Sequence, residues 1–235
     1  MAIYAIADLH LSFEENKPMS VFGDNWEGHS EKIKENWIKK VKPDDTVILP
    51  GDFSWATYLS NAEKDFAFLD ELPGKKILLK GNHDYWWTTV TNMKKYLDKK
   101  RFTTIDFLYN NSYCIENKII VGTRGWNSIE AEESEKMLNR ETIRLKLSIE
   151  NGLQNYGKDK EIICFMHYPP ITQTNLHYQK FSQFVAIMKE YGIKKCYYGH
   201  LHGPSHKDAV EGKIEGIAFK LVSADYLNFD LLEVE

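Results

Sequence analysis

Five apolar runs of this chain end in residues that bind metals or move protons. IYAIADLH ends in Asp8 and His10, TVILPGD in Asp52, and KILLKGNHD in Asn82, His83 and Asp84; IICFMH ends in His167 and KKCYYGHLH in His200 and His202. Histidine nitrogen beside carboxylate oxygen suits divalent first-row ions such as Mn, Fe, Zn or Co. The D-x-H and H-x-H spacings set Asp8 with His10, and His200 with His202, on one side of an extended chain, because side chains alternate with period two. Asp52 stands alone after its run, and its two oxygens could bridge two ions. Two ions about 4 Å apart clamp the attacking and leaving oxygens of a phosphoryl transfer and lower the pKa of a bound water. No serine or cysteine is placed beside a base, so covalent catalysis is not the leading chemistry.

Each piece alone has an ordinary reading. Asp52 after Gly51 is a turn aspartate, G-N-H-D is a turn followed by a helix cap, and His167 before Tyr168-Pro169-Pro170 is a loop histidine. The recurrence is what argues for a site. Five of the eight histidines fall at the ends of apolar runs, and the ordinary readings then require five separate coincidences.

Buried strands that deliver polar residues at their ends describe an α/β sheet with a site along its rim. The spacing predicts strands over residues 2–7, 46–50, 76–80, 105–109, 112–116, 119–122, 162–166 and 195–198. Asn110 and Asn111 suggest a tight hairpin between the fourth and fifth. Helices are predicted from Ser30 with Ile33, Trp37, Ile38 and Val41 on one face, then over 62–70, after Trp87 to about Leu97, and over 132–153 with Leu138, Thr142, Leu145 and Ile149 in line. A further helix carries Phe181, Phe184, Val185 and Met188. The tail from Lys213 reads as two or three antiparallel strands, with turns at Gly212 and at Leu227 and Asn228. Residues 11–29 form a loop of functional length. One sheet does not take all these strands, so two packed sheets with helices outside are expected, in a single domain over residues 1–235.

A chain of 235 residues with 43% hydrophobic and 27% charged content is an ordinary globular one. The formal net charge of −4 provides no basic field for nucleic acid or an anionic membrane. The odd set of three cysteines, Cys114, Cys164 and Cys196, contains no C-x-x-C and reads as buried apolar residues in a reducing compartment. The N-terminus enters a strand without a signal-peptide pattern, and no stretch reaches the ~20 apolar residues of a membrane span. A cytoplasmic protein is expected; its oligomeric state is open.

The series D-L-H at 8–10, G-D at 51–52, G-N-H-D at 81–84, a single histidine at 167 and G-H-L-H at 199–202 resembles the calcineurin-like metallophosphoesterase superfamily. The match extends from residue 8 to residue 202. The resemblance implies an α/β fold, a four-layer α/β/β/α sandwich of two mixed sheets with flanking helices, and a centre of two divalent transition-metal ions (Mn, Fe or Zn). It implies that Asp8, His10 and His202 hold one ion, that Asp52 bridges, and that Asn82, His167 and His200 hold the second. His83 would act as general acid to the leaving oxygen or bind the phosphoryl group. Asp84 joins it in the catalytic set, in a structural or orienting role. Ser/Thr protein phosphatases carry an acid and an arginine soon after G-D; the segment Gly51-Asp52-Phe53-Ser54-Trp55-Ala56 has neither. Trp86-Trp87 after G-N-H-D-Tyr85 resembles a small bacterial-type phosphohydrolase subgroup.

Three residues or groups stand outside these motifs. Arg124, near Trp126, could reach a phosphate with both prongs of its guanidinium, or lie on the surface beside a packed tryptophan. His29 could line the pocket or simply open a helix. Trp26, Trp55, Trp86 and Trp87 could stack on a ring, although core packing is expected for at least half of them. The expected activity is hydrolysis of a small phosphate mono- or diester, such as a nucleotide. The rival from another class is a non-catalytic metal-binding protein-interaction scaffold on the same fold. A zinc hydrolase of C–N or C–O bonds is disfavoured by Asn82.

Overall fold

A computed structural model describes residues 1–15, 17–126, 132–177 and 182–235, with the backbone alone for 132–134. Phe181, expected on a helix, lies outside the described residues. In the first half, strands β1 (Ile3–Ala5), β2 (Thr46–Leu49), β3 (Lys75–Leu78) and β4 (Ile105–Phe107) alternate with helices α1 (His29–Lys40), α2 (Glu63–Glu71) and α3 (Val90–Lys100). In the second half come β5 (Tyr113–Ile115), β6 (Lys118–Thr123), α4 (Glu132–Tyr156), β7 (Glu161–Met166), α5 (Gln173–His177), α6 (Gln183–Glu190), β8 (Lys195–Tyr198), β9 (Gly212–Ile214), β10 (Ile217–Leu221) and β11 (Leu232–Glu233). They form two sheets, in the orders β11-β1-β2-β3-β4 and β5-β6-β7-β8-β10-β9. β1 to β4 run parallel, as do β6, β7, β8 and β10, while β11, β5 and β9 add antiparallel edges.

Parallel strands buried on both faces read as continuous apolar runs, and β2 is buried at all four positions. Three apolar layers result. Trp37, Phe66 and Leu97 pack α1–α3 on the first sheet. Ala5, Ile48, Ile77, Ile120, Phe165 and Tyr197 fill the space between the sheets. Leu145, Ile149, Phe184 and Met188 pack α4 and α6 on the second sheet. Three interfaces make four layers, the expected α/β/β/α sandwich. Among the described residues, no helix is long and apolar enough to cross a membrane.

Helix ends follow local chemistry. Thr89 caps α3 by accepting from the Asn92 N–H at 3.2 Å, and Ser182 caps α6 by accepting from Val185 N–H at 3.3 Å. α1 ends on Lys39 and Lys40, which suit the negative end of its dipole.

Three local expectations are corrected. Ile38 does not share the buried face of Ile33 and Trp37; it is 56% exposed, because it is turned about 100° from Trp37 on a helix of 3.6 residues per turn. Asn110 and Asn111 do not join a hairpin, since β4 pairs with β3 in one sheet and β5 with β6 in the other. Instead Asn111 Oδ1 accepts from Tyr109 N–H and its amide donates to Phe107 O, turning the chain from sheet to sheet; this side-chain chemistry also serves hairpins. In the tail, Gly212 opens β9, and the turn lies at Glu215 and Gly216, both at positive φ. The tail is not one antiparallel meander: β10 lies parallel to β8, and β11 crosses to β1.

Candidate metal centre

The carboxyl ends of β1, β2 and β3 in one sheet meet those of β7 and β8 in the other. The expected residues follow: Asp8 and His10 after β1, Asp52 after β2, Asn82 to Asp84 after β3, His167 directly after β7, and His200 and His202 after β8. The backbone does not continue as extended strand. Asp8, His10, Asp52 and His200 sit at φ 62°, 46°, 52° and 76°. Such left-handed conformations are uncommon for side-chain-bearing residues and concentrate at functional sites. Period-two alternation is therefore not what pairs Asp8 with His10. The same correction separates His200 from His202, which face different groups.

Ligand-type atoms of Asp8, His10 and His202 lie within 4.8 Å of one another, as do those of Asp52, His167 and His200. Asn82 joins the second group, with Oδ1 2.6 Å from His167 Nε2. Asp52 Oδ2 stands 3.8 Å from His10 Nε2 and 3.5 Å from His167 Nε2, between the two groups. Among the described residues it is buried without a hydrogen-bond partner, and so is Asp8 Oδ1. The partner oxygens are engaged: Asp52 Oδ1 accepts from His83 N–H at 2.8 Å, and Asp8 Oδ2 accepts from His200 N–H and Ser223 Oγ, both at 2.9 Å. Each carboxylate thus keeps one buried oxygen with an open valence, aimed among imidazoles. A buried unpaired carboxylate oxygen is costly, and a divalent cation is the partner this N/O donor set fits.

The proton affinities of three of the histidines agree. Burial pushes His10 and His167 down, and it takes His200 down to about 3, which leaves neutral nitrogens of the kind that bind metals. Burial and the neighbouring Asp8 push Asp52 well above the usual carboxylate range. Burial acts to lower His202, but Asp8 and the hydrogen-bonded Asp225 outweigh it and raise His202 to about 10. Two ring nitrogens are anchored from behind. His167 Nδ1 lies 3.0 Å from Pro50 O, and His202 Nδ1 lies 2.9 Å from Asp225 Oδ1, so both turn Nε2 toward the centre. Asp225 and Ser223 were not visible as site residues in the sequence; V-S-A-D carries no motif, and their contacts span more than 20 positions.

Close approach explains two glycines. A Cβ on Gly81 would collide with the Asp52 carboxylate, and Gly51, at φ 95°, would bring one within 2.6 Å of His167 Nδ1. Asp84 fixes this corner. Its Oδ2 accepts from Asp52 N–H and Gly81 N–H, and its Oδ1 accepts from Phe53 and Ser54 N–H and from Trp86 Nε1. With both oxygens engaged and the residue buried, Asp84 holds the backbone of this corner in place.

His83 is half-buried. Its ring lies 4.5 Å from Trp55 and 5.7 Å from His10, measured between centroids, at the edge of a cavity of about 250 Å³ that His10 and His202 also line. His29 does not line that cavity. Its ring packs on Trp26 and Phe229, with Nδ1 3.2 Å from Trp26 O, because the segment before α1 folds down as two short 3-10 turns. Arg124 stands off the cavity too, at the end of β6. Its carbonyl accepts from Tyr168 N–H, and the Tyr168 ring lies 4.3 Å from His200. Its Nε and one terminal nitrogen are buried without a hydrogen bond among the described residues. Of the four tryptophans, Trp86, Trp87 and Trp26 are buried and Trp55 is half-buried.

A family model described as calcineurin-like phosphoesterase matches residues 1–204. No curated protein matches the chain. Among solved structures, the fold is similar to that of phosphopantetheinyl hydrolase from Mycobacterium tuberculosis, at 15% identity and TM-score 0.58, covering 99% of this chain and 95% of that one. It is also similar to a protein of unknown function from Aquifex aeolicus, at 19% identity and TM-score 0.54 with the same coverages. A Thermus thermophilus protein is similar at 15% identity and TM-score 0.53, covering 99% of this chain and 97% of that one. At these identities the solved structures speak for the fold. The strand ends that build the two ligand groups all fall inside the matched span, and the chain belongs to the calcineurin-like phosphoesterase family.

Proposed function

We infer that this protein is a dinuclear metal-dependent phosphohydrolase acting on a phosphate mono- or diester of a small substrate. The observation that carries the reading is the unpaired, buried Asp52 Oδ2, within 4 Å of a nitrogen from each ligand group. Asp8, His10 and His202 would hold one divalent ion, Asn82, His167 and His200 the other, and Asp52 would be shared. When bound, such ions polarise phosphoryl oxygens and make a nucleophile of water near neutral pH. The chain's own residues do the rest. Asp225 and Pro50 O hold His202 and His167 in the tautomer that presents Nε2. Asp84 keeps the Gly51 and Gly81 corners together. His83, at the cavity edge, donates a hydrogen bond or a proton to the leaving oxygen. Arg124, whose Nε and one terminal nitrogen make no hydrogen bond among the described residues although Glu141 faces it at 3.9 Å, is suited to a second anionic group of the substrate. The name of the similar M. tuberculosis fold supports a phosphorylated substrate. A reducing compartment such as the cytoplasm suits the thiols of Cys164 and Cys196, which stand in register on β7 and β8.

The test is hydrolysis of a chromogenic phosphomonoester and its bis-ester by metal-stripped protein reloaded with Mn²⁺, Fe²⁺ or Zn²⁺. Expected are two equivalents of metal by elemental analysis and turnover that falls about 10²–10⁴-fold in His83→Ala with metal content unchanged. Stoichiometric metal without turnover of either ester would move the reading to a scaffold. One equivalent of metal would overturn the dinuclear centre.

A further inference from the structure

The cavity of about 250 Å³ beside the ligand groups has two unlike walls. One is made of His10, His83 and His202. The other is made of Met19, Phe22, Trp26, Trp55 and Pro204. Among the described residues no carboxylate, lysine or arginine is part of its wall, and Lys17 Nζ stands behind it, 5.4 Å from the Trp55 ring centre and 3.1 Å from Trp55 O. Trp55 is fixed, with its ring stacked on His10 at 4.8 Å and its Nε1 directed to Met19 Sδ at 3.0 Å. Trp26 is fixed edge-on to His10, His202 and Phe229. Phe22 is 65% exposed and stands at the rim. Rigid aromatic walls with an exposed aromatic rim are poorly suited to a sugar or a polyanion, whose polar groups would be left unpaired against them.

We propose that this cavity binds the leaving group of the substrate, and that this group is apolar and aryl-sized. The proposal rests on the phosphohydrolase reading above and names the class of ester. Position supports it: His83, assigned to the leaving oxygen, is part of the cavity wall, so the group on that oxygen projects into the cavity. Size supports it as well, because an apolar cavity of about 150 Å³ accepts benzene and this one has room for one or two fused rings. In the reaction, the oxygen of water forms the new bond to phosphorus, the P–O bond to the aryl oxygen breaks, and that oxygen keeps the electron pair and takes up a proton. Inorganic phosphate and the aryl alcohol are the products.

Aryl alcohols are intrinsically good leaving groups, so kcat alone does not report on the cavity; KM and product binding do. We would compare 2-naphthyl phosphate with glycerol phosphate on the metal-loaded protein, and titrate 2-naphthol into metal-free protein by tryptophan fluorescence. The expected KM for the naphthyl ester is roughly 10–100-fold lower, from burial of its rings. Naphthol should bind and compete with glycerol phosphate turnover. Phe22→Ala, at an exposed position, should weaken naphthol binding about 3–10-fold, and Phe22→Tyr should restore it. Equal KM values with no naphthol binding would overturn the proposal and leave the phosphohydrolase reading standing. Turnover of neither ester would overturn both. Naphthol binding unaffected by Phe22→Ala would place the alcohol elsewhere and overturn the cavity assignment.

Discussion

Asp52→Asn should stabilise the metal-free protein and destabilise the metal-loaded one. In the free protein the carboxylate is 1% exposed, keeps Oδ2 unpaired, and shares its pocket with the charge of Asp8. Asparagine keeps the carbonyl oxygen that accepts from His83 N–H. Its amide is neutral and stands where Oδ2 lies 3.5 Å from His167 Nε2 and 3.8 Å from His10 Nε2. Removing the desolvation cost of that buried, unpaired oxygen recovers about 1–3 kcal/mol. With metal present the sign reverses. At a free metal concentration 1,000 times Kd, binding stabilises the wild type by about 4 kcal/mol. Loss of the shared oxygen lowers affinity by about two orders of magnitude or more, and each tenfold removes about 1.4 kcal/mol. The metal-induced increment should therefore shrink by about 3 kcal/mol, near 10 °C of Tm for a chain of this length. Urea titrations of both proteins, with chelator and with Mn²⁺, give the four stabilities. A metal-free Asp52→Asn protein that is less stable than wild type would refute the reasoning, since Asp52 would then be a paired structural carboxylate.

Asp225→Ala frees the His202 ring to rotate, and metal affinity should fall about 10–100-fold in competition with a chromogenic chelator, while far-ultraviolet circular dichroism stays unchanged. Glu141 is fully buried, accepts from Thr123 Oγ1 at 2.7 Å and from Arg144 at 2.5 Å, and faces Arg124 and Arg140. Glu141→Gln leaves clustered guanidinium charges unopposed, and a loss of about 3–5 kcal/mol is expected by denaturant unfolding; a loss below 1 kcal/mol would show the cluster to be solvated. Burial raises Asp65 to about 6 despite its hydrogen bond from Ser54. Its folded value lies above its unfolded one, so its contribution is complete below about pH 4 and is lost as pH rises through about 6. Asp65→Asn should therefore gain on wild type by about 3 kcal/mol between pH 4 and 6.5, and a flat difference over that interval would contradict the assignment.

The residues of the two candidate groups were legible in the sequence because each follows the carboxyl end of a β-strand, and an apolar run that stops at a polar residue is a local pattern. Two packed sheets with helices outside were legible in outline because the strand-like runs are too many and too mixed for one sheet, and the four-layer sandwich is what the family resemblance implied. What failed was geometry that depends on distant chain. Asn110 and Asn111 offer the same side-chain hydrogen bonds to a hairpin and to a crossover, and only the pairing of β4 with β3 decides between them. Asp225 has no neighbour in sequence that marks it. His29 looked available because a polar loop of this length normally stays open; instead Met19 and Trp26 bury themselves and draw it down.

The left-handed backbone at Asp8, His10, Asp52 and His200 carries the deeper lesson. Alternation along a strand would have put Asp8 and His10 together and His200 with His202. Turning the chain at each strand end instead splits His200 from His202 and gives each ligand group a histidine from the same loop. Each such residue costs about 1–3 kcal/mol, so something must hold them. Asp84 holds Asp52, through bonds to the N–H groups of residues 52–54 and 81. The paired ends of β1 and β2 hold Asp8 and His10, through Asp8 N–H to Gly51 O and His10 N–H to Asp52 O. Asp8 Oδ2 holds His200 through its N–H. A carboxylate of one candidate group thus anchors the backbone of a residue in the other, so the two groups are built as a unit. Binding at one site should for that reason preorganise the other, and the two equivalents of metal should load with positive cooperativity in an isothermal titration; two independent sites would show that the shared frame is rigid before any ion arrives.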